Sequence, residues 1–329
     1  MSNYNVGDII RLTRMAMGIS QEELCTDICS VQTLSRIENG KVSVKKKTYQ
    51  QLMERMGRDG TKNYSRLATK DFELLDIMVE VNDAIFRHEY EEADRKLEIL
   101  RNALSMEEEI NYIFVKECEA IIDGAMGRIT KEEELEILEE LLELTLPNYK
   151  RYLDKVYPFM HEEIILLMNI GYVYADLGHK ELSIAIHYML IRSINMGYME
   201  IEDSIQLSVM LTSSIARRYG GKGERNKAIA MCWSAIKKAK RNRLYTILPK
   251  CYGEIAWNMM KQIEVGERDA MDKTLCRQYL RQGYAAAVLS KQNYYANIIK
   301  EIYMDFFDEE VYCFSRSPNG DSSGSSPNN

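Results

Sequence analysis

Residues 18–40 read GISQEELCTDICSVQTLSRIENG and decide the fold of the first part of the chain. Ser20 suits the N-terminal cap of a short helix, and Glu23, three residues later, completes a capping box. Ser30 is placed to cap a second helix, which Gly40 ends as a left-handed residue. The pattern therefore predicts two short helices joined by a tight turn.

The apolar spacing predicts that these two helices belong to a small bundle. Helices this short cannot bury their apolar sides alone, so flanking helices at residues 6–17 and 44–56 are expected to close the core. Such an arrangement is a helix-turn-helix DNA-binding domain. The expected core positions on the two short helices are Leu24, Ile28, Leu34 and Ile37.

The outward side chains of the second helix suit the reading of double-stranded DNA. Gln32 can form paired hydrogen bonds to adenine, and Arg36 can bind guanine or a phosphate. The lysines that follow would lie along the phosphate backbone and add affinity without sequence choice. The residues expected to contact DNA are Ser20, Gln21, Val31, Gln32, Thr33, Ser35, Arg36, Lys41, Lys45, Lys46 and Lys47.

A structural ion pair is also predicted inside this domain. Arg14 lies on the first helix, and Glu38 ends the second short helix just before its glycine stop. A planar guanidinium there can hold the carboxylate with two parallel bonds and determine how the helices cross.

The motif ISQEEL followed by SRIENG resembles the phage-repressor (XRE-type) helix-turn-helix. Its turn is one residue shorter than the usual repressor spacing. With DICSVQTLSRIENG, this shorter form resembles the Rgg/PlcR-type members of the RRNPP family, which are peptide-sensing regulators of Gram-positive bacteria. The resemblance covers about the first sixty residues. It implies transcription regulation, quorum sensing through a peptide receptor, and a homodimer formed through a helical body.

Charge is distributed unevenly along the chain. The 329 residues carry a net charge of -7, but residues 1–66 hold eleven Lys or Arg against seven Asp or Glu, which leaves +4 there and -11 elsewhere. A basic DNA-binding domain joined to an acidic body is expected when only the smaller domain contacts DNA. We predict a DNA-binding domain with linker at 1–66, a repeat domain at 67–314 and a disordered tail at 315–329.

From residue 71 onward the sequence predicts one helix after another, with small residues recurring about every 34 positions. Residues 82–100, 169–190 and 214–240 each resemble a tetratricopeptide repeat, and about five helical pairs are expected. The fold class is therefore all-α, with a five-helix-type helix-turn-helix domain followed by a tetratricopeptide-like α-solenoid.

The first helix of each pair is expected to line the inner wall of this solenoid. Asn amides can pair with a peptide backbone, aromatic rings offer apolar pockets, and Arg can hold a carboxylate. For a single aromatic residue, simple packing is an equally good explanation. The residues expected to bind a short signalling peptide are Met168, Asn169, Tyr172, Asp176, Ser213, Arg217, Trp257 and Asn258.

Other classes of site are not indicated by the sequence. The seven cysteines form no CxxC pair and mostly occupy apolar helical positions, which favours buried, reduced thiols in a cytoplasmic protein. The four histidines are scattered, so no metal, no cofactor and no enzyme activity are expected. No apolar run approaches the length of a membrane span.

Two alternatives to a peptide-controlled transcription regulator stay open at this point. One is a repeat scaffold that binds a protein partner and uses the helix-turn-helix for docking. The other is an aspartyl-phosphate phosphatase, as found among enzymatic relatives of the same superfamily. Steep loss of duplex DNA affinity with added salt would distinguish the regulator from the scaffold. The phosphatases lack a DNA-reading N-terminus, which favours the regulator over this second alternative.

Overall fold

The computed structural model describes residues 6–42, 44–57, 71–153, 155–195 and 201–311. Within these ranges the chain forms fifteen α-helices, three short 3-10 helices and no β-strand, which confirms the all-α fold class. The predicted linker lies mostly outside the described residues, as do the C-terminal tail and Cys313.

Four helices form the N-terminal bundle: α1 (Val6–Ala16), α2 (Gln21–Cys25), α3 (Val31–Glu38) and α4 (Lys46–Arg55). The caps are those predicted, because Ser20 and Glu23 form a capping box and Ser30 accepts a hydrogen bond from the Thr33 amide. Gly40 has φ +66° and ends α3 as expected. The remainder of the predicted five-helix-type domain, residues 58–66, lies outside the described residues.

The core of this bundle is apolar and closely matches the predicted positions. Its fully or nearly fully buried residues are Ile10, Leu24, Cys25, Leu34, Ile37, Leu52, Met53 and Met56. Half-buried Ile28 packs against them. Each short helix therefore buries its apolar side against α1 and α4, as the spacing required.

The rest of the described chain is built from antiparallel helical pairs. Five pairs and one final helix are present, as expected from the repeat pattern. They are α5 (Phe72–Phe86), α6 (Tyr90–Ala103), α7 (Glu109–Met126), α8 (Lys131–Thr145), α9 (His161–Asp176), α10 (Lys180–Ile194), α11 (Ile201–Gly221), α12 (Arg225–Arg241), α13 (Leu248–Glu264), α14 (Lys273–Leu289) and α15 (Asn293–Phe307). Short 3-10 turns lie at Tyr149–Tyr152, Tyr245–Ile247 and Ala270–Asp272.

By internal packing the chain divides into two compact units, an N-terminal unit of residues 1–218 and a C-terminal unit of residues 219–329. This division lies inside α11, whereas the sequence predicts a boundary near residue 66. The N-terminal unit therefore combines the DNA-binding bundle with the first helical pairs. Met17, at the end of the bundle's first helix, packs both on the bundle core and on the core around α8, α9 and α10.

In the N-terminal unit, small residues allow neighbouring helices to approach closely. A Cβ atom added at Gly171 of α9 would lie 2.4 Å from Nε2 of His187 on α10. Ala93 of α6 is fully buried in the core that α5, α6 and α7 share. Both residues occupy positions where the repeat pattern calls for a small side chain.

The C-terminal unit uses the same device between α13, α14 and α15. A Cβ atom at Gly283 would meet Ile299 at 3.1 Å and Tyr252 at 3.2 Å. The three cysteines in the described part of this unit, Cys232, Cys251 and Cys276, are all buried free thiols. None of the described helices of the whole chain combines the length and apolar character needed to cross a membrane.

Candidate DNA-binding and peptide-binding sites

Helix α3 presents a polar outer face and an apolar inner face. Leu34 and Ile37 point into the core, whereas Gln32 and Arg36 are exposed. Val31 at the start of the helix is 38% exposed, and Thr33 is exposed beside it. Ser35 is half-buried. The predicted base-reading residues of α3 therefore lie together on one accessible surface.

Some of the predicted DNA contacts have a structural role in this conformation. Ser20 accepts a hydrogen bond from the Glu23 amide at 3.1 Å and caps α2. The hydroxyls of Thr33 and Ser30 lie 2.8 Å apart at the start of α3. Gln21 donates through Nε2 to Oε2 of Glu38 at 2.6 Å. These three side chains thus hold the turn in shape, while Gln32 and Arg36 extend into solvent.

Arg14 and Glu38 form the predicted ion pair. Nε of Arg14 donates to Oε1 at 2.7 Å and Nη2 donates to Oε2 at 2.9 Å, which is the bidentate geometry of a strong pair. Nη1 also donates to the carbonyl of Ile19 at 3.0 Å. The hydrogen bond to Glu38 raises the pKa of Arg14, although partial burial opposes the shift. The pair connects α1, the start of α2 and the end of α3.

Basic side chains follow α3 on the way to α4. Lys41 and Lys47 are exposed, and Lys45 is the exposed residue that precedes the first turn of α4. The side chain of Lys46 lies outside the described residues. The Asn39 amide donates to the carbonyl of Ser35 at 2.6 Å and secures the turn that leads to these lysines. Their charges lie close in sequence to the exposed face of α3.

In the N-terminal unit, Asn169 of α9 is connected to a buried acid on the first helix of the preceding pair. Its Nδ2 donates to Oε1 of Glu117 on α7 at 2.8 Å. Glu117 is only 7% exposed, and burial raises its pKa to about 8, helped by the nearby charge of Glu162. Near neutral pH this carboxyl group therefore retains its proton in a large share of molecules.

A buried polar network joins α9, α10 and α11. The ring nitrogens of His187 lie 3.0 Å from the carbonyl oxygen of Met168 and 3.1 Å from Oγ of Ser214. Arg218 donates to Oγ of Ser183 at 3.1 Å and lies 5.2 Å from the ring of Tyr172. The predictions from sequence include Tyr172 but omit the other side chains of this network. In the sequence, only the small residue Gly171 indicates that a side chain such as buried His187 packs against α9.

Several predicted peptide contacts need correction. Met168 is 5% exposed and Ser213 is 1% exposed, so neither side chain lines an open wall. Met168 turns into the core between helices, and Ser213 donates to the carbonyl of Met210 in its own helix at 2.8 Å. By contrast, Asp176 and Arg217 are exposed.

The other two predicted contacts lie in the C-terminal unit. Trp257 is half-buried there. Asn258 is fully buried, and a Cβ atom at Gly220 would lie 2.9 Å from its amide, so close helix packing explains this residue. The accessible candidates in the N-terminal unit are thus Asn169, Tyr172, Asp176 and Arg217. In the described part of the chain, no group of three or more His, Cys, Asp or Glu residues is arranged to hold a metal ion.

Comparisons with known proteins bear on the N-terminal domain and on the fold of the whole chain. Residues 10–62 match the helix-turn-helix family HTH_3, which confirms the predicted N-terminal domain. No curated protein sequence matches the chain significantly.

Solved structures share the fold over almost the whole chain. PlcR of Bacillus thuringiensis in complex with the peptide PapR7 and DNA is 15% identical, with a TM-score of 0.57 over 89% of this chain and 98% of that one. PlcR in its apo form is 14% identical, with a TM-score of 0.52 over 89% and 97%. The apo form of the competence regulator ComR from Streptococcus vestibularis is 13% identical, with a TM-score of 0.50 over 92% and 98%. The resemblance to PlcR-type regulators therefore extends to the fold of the helical body.

Proposed function

We propose that this chain is a DNA-binding transcription regulator whose affinity for DNA is controlled by a short signalling peptide. The observation that carries the proposal is the combination of a helix-turn-helix domain with a helical body that has the fold of PlcR. PlcR has been solved with both a peptide and DNA, which are the two ligands proposed for this chain. Such a regulator would act in the cytoplasm, where the DNA is.

The DNA-binding half of the proposal rests on the exposed face of α3. Gln32 and Arg36 are exposed four residues apart on this helix, so both can enter one major groove. The lysines that follow supply phosphate contacts, which fix position and add affinity. The ion pair of Arg14 with Glu38 holds the helix at its angle to α1, so the reading surface is formed before DNA arrives.

The peptide-binding half rests on polar groups of α9 and α11 in the N-terminal unit. The Glu117 carboxyl group accepts from Nδ2 of Asn169, which orients the amide and directs its Oδ1 to accept from a peptide N–H. Tyr172 offers a ring face, and Arg217 suits a peptide carboxylate. These side chains come from the first helices of successive pairs, which is where an extended chain could lie.

Control of DNA binding requires two conformations that the peptide distinguishes. We propose a homodimer, because one recognition helix reads only a few base pairs and two-fold pairing doubles the site. A peptide that prefers one arrangement of the two DNA-binding bundles would change DNA affinity. A coupling of about 1–3 kcal/mol is ordinary for such a switch.

A selection followed by titration tests this proposal. A randomised library of short peptides is selected on the immobilised full-length protein, and the best binder is titrated by calorimetry against wild type and Asn169→Ala. Loss of one buried hydrogen bond should weaken binding by about tenfold. Asn297→Ala, the same change at an exposed residue of α15, should bind as wild type.

The same peptide is then added to a complex of the protein with duplex DNA. We expect DNA affinity to change by about 5-fold or more in either direction. A peptide that binds without changing DNA affinity would contradict the proposed control. A protein that binds no duplex DNA would instead support a repeat scaffold for a protein partner.

A further inference from the structure

Two helices of the chain carry equal and opposite charge. Helix α8 contains seven Glu and one Lys, which gives -6. Helix α12 contains Arg225, Lys227, Lys237, Lys238, Lys240 and Arg241 with no acid, which gives +6. Both are second helices of their pairs. Neither charge is used by the proposed DNA or peptide contacts.

The exposed side of α12 forms a continuous basic stripe with an aromatic anchor. Trp233, Lys237 and Arg241 lie four residues apart, and Lys240 lies three residues after Lys237, so all four are on one side of the helix. Trp233 is 38% exposed, and its ring is held edge-on against Tyr279 at 5.2 Å. Trp and Arg are enriched among the residues that contribute most to binding at protein interfaces.

The surroundings of this stripe leave its charge largely uncompensated. Residues 225–253 include eight Lys or Arg and no Asp or Glu, and α14, which contacts α12 through Tyr279, also has no acid. Lys240 donates to the hydroxyl of Tyr252 at 2.9 Å rather than to a carboxylate. Among the described residues, Lys237 and Arg241 have no carboxylate within ion-pair distance.

Helix α8 carries a complementary acidic stripe. Glu132, Glu136, Glu140 and Glu143 recur at the same intervals and are exposed, and Leu144 beside them is 52% exposed. The other three acids act within the chain, and Glu143 also accepts from the backbone amide of Asn148 at 2.7 Å. Glu133 caps the helix start, Glu134 pairs with Lys131, and Glu139 accepts from the Tyr149 hydroxyl.

We propose that α8 of one copy of this chain docks against α12 of a second copy. This inference deepens the proposed function, because it identifies the surface that forms the proposed homodimer. The two stripes match in charge, and their lengths are similar, about 16 Å from Glu132 to Glu143 and about 12 Å from Trp233 to Arg241. Pairing of α8 with α8, or of α12 with α12, would place like charges together, so charge selects the mixed contact.

Two-fold symmetry makes this contact occur twice in one dimer. In an isologous interface, α8 of the first copy meets α12 of the second, and α12 of the first meets α8 of the second. The charges steer the encounter and set the register. Trp233 and Leu144, each at one end of its stripe, add apolar contact area to each helix pair.

Charge reversal tests the proposal directly. The dimer dissociation constant of the full chain is measured by sedimentation velocity at about 0.1 M salt, where surface charges still act over about 10 Å. The variants are Lys237→Glu with Arg241→Glu on α12, Glu136→Lys with Glu140→Lys on α8, and all four changes in one chain. Lys155→Glu with Lys273→Glu, two exposed lysines elsewhere, is the control for added negative charge.

Each two-site variant should raise the dimer dissociation constant about tenfold or more, because like charges then meet in both contacts. The four-site variant should return it close to the wild-type value, since every contact is again between opposite charges. The control should behave as wild type. A thermal melt of each variant checks that the fold is retained.

Three results would overturn the proposal. One is a two-site variant that dimerises like wild type, and another is a four-site variant that stays monomeric while folded. The third is an α12 variant that keeps the dimer but loses affinity for random-sequence duplex DNA, which would assign the basic stripe to phosphate binding. Failure of the proposed function would give a different result from all three. In that case the wild-type protein would not bind DNA, but its dimer would still respond to charge reversal.

Discussion

Arg14 and Glu38 are held together by two parallel hydrogen bonds, of 2.7 Å from Nε to Oε1 and 2.9 Å from Nη2 to Oε2. The Glu38 side chain is 1% exposed and the Arg14 side chain 14%. Because Glu38 is the last residue of α3, this pair anchors the end of the recognition helix to α1. Gln21 donates to the same carboxylate and so connects the start of α2 to the end of α3.

Glu38→Ala should destabilise the DNA-binding bundle. The change leaves the Arg14 guanidinium partly buried without its carboxylate, which should reduce the free energy of unfolding by about 3 kcal/mol. Thermal and urea unfolding of the full chain measure this loss. Glu54→Ala, at an exposed acid of α4, should have little effect. Equal melting of wild type and Glu38→Ala would show that the pair does not stabilise the domain.

Gln32→Ala should change base preference, whereas Lys47→Ala should change affinity alone. Loss of a base-edge contact should cost about 1–3 kcal/mol at one operator position and leave affinity for unrelated DNA unchanged. Loss of a phosphate contact should weaken all sequences alike and reduce the salt slope by about one. Fluorescence anisotropy on a selected duplex and on a scrambled one compares the two. A uniform loss for Gln32→Ala would argue against base reading by this residue.

Gly171→Ala should destabilise the contact between α9 and α10. The new Cβ atom would lie 2.4 Å from Nε2 of buried His187, so the ring must move and its hydrogen bonds to Met168 and Ser214 must break or lengthen. Overpacking of this kind costs about 1–3 kcal/mol. Gly253→Ala is the matched control, because its Cβ atom would meet Ile299 at an ordinary 3.7 Å. Equal stability of the two variants would contradict the close packing at residue 171.

Burial of Glu117 should make the stability of the N-terminal unit depend on pH. The pKa is raised from 4.5 to about 8 in the folded state, chiefly by desolvation, so the folded state binds the proton more tightly than the unfolded state. The free energy of unfolding should therefore fall as pH rises from about 4.5 to about 8. Glu117→Gln keeps an acceptor for Asn169 but cannot titrate. It should therefore remove the contribution of Glu117 to the change in unfolding free energy with pH.

Near pH 7, Glu117→Gln should raise the free energy of unfolding by about 3 kcal/mol relative to wild type. This estimate follows from the shift of the Glu117 pKa from 4.5 to about 8. Urea unfolding at several pH values from 5 to about 8 measures it. Glu119→Gln, at a half-buried neighbour in the same helix, is the control for the loss of a carboxylate. A slope that persists in Glu117→Gln would assign the pH dependence to other groups.

The sequence predicts the local features of the bundle well because they depend on short-range chemistry. Caps at Ser20 and Ser30 and the left-handed stop at Gly40 involve atoms only a few residues apart. The ion pair of Arg14 with Glu38 joins residues 24 positions apart, and its prediction depends on where the helix boundaries place the two residues. The repeat pattern likewise predicts five pairs, since small residues mark where helices cross.

Residues of the proposed peptide site are harder to predict, because the burial of each side chain depends on the register of its helix. Successive residues of a helix point about 100° apart, so Met168 enters the core although neighbouring Asn169 is half-buried. Asn258 looks like a peptide contact in sequence, but Gly220 lies against it. The hydrogen bond from Asn169 to Glu117 joins residues 52 positions apart, and no local pattern indicates it.

Selection of duplex DNA from a random library by the full-length protein tests the central claim most directly. We expect an enriched sequence with two related half-sites separated by about one helical turn, 10–10.5 base pairs, or a multiple of it. Affinity for that sequence should fall steeply as salt rises. A library that shows no enrichment, together with binding that does not depend on salt, would contradict the assignment of this chain as a DNA-binding regulator.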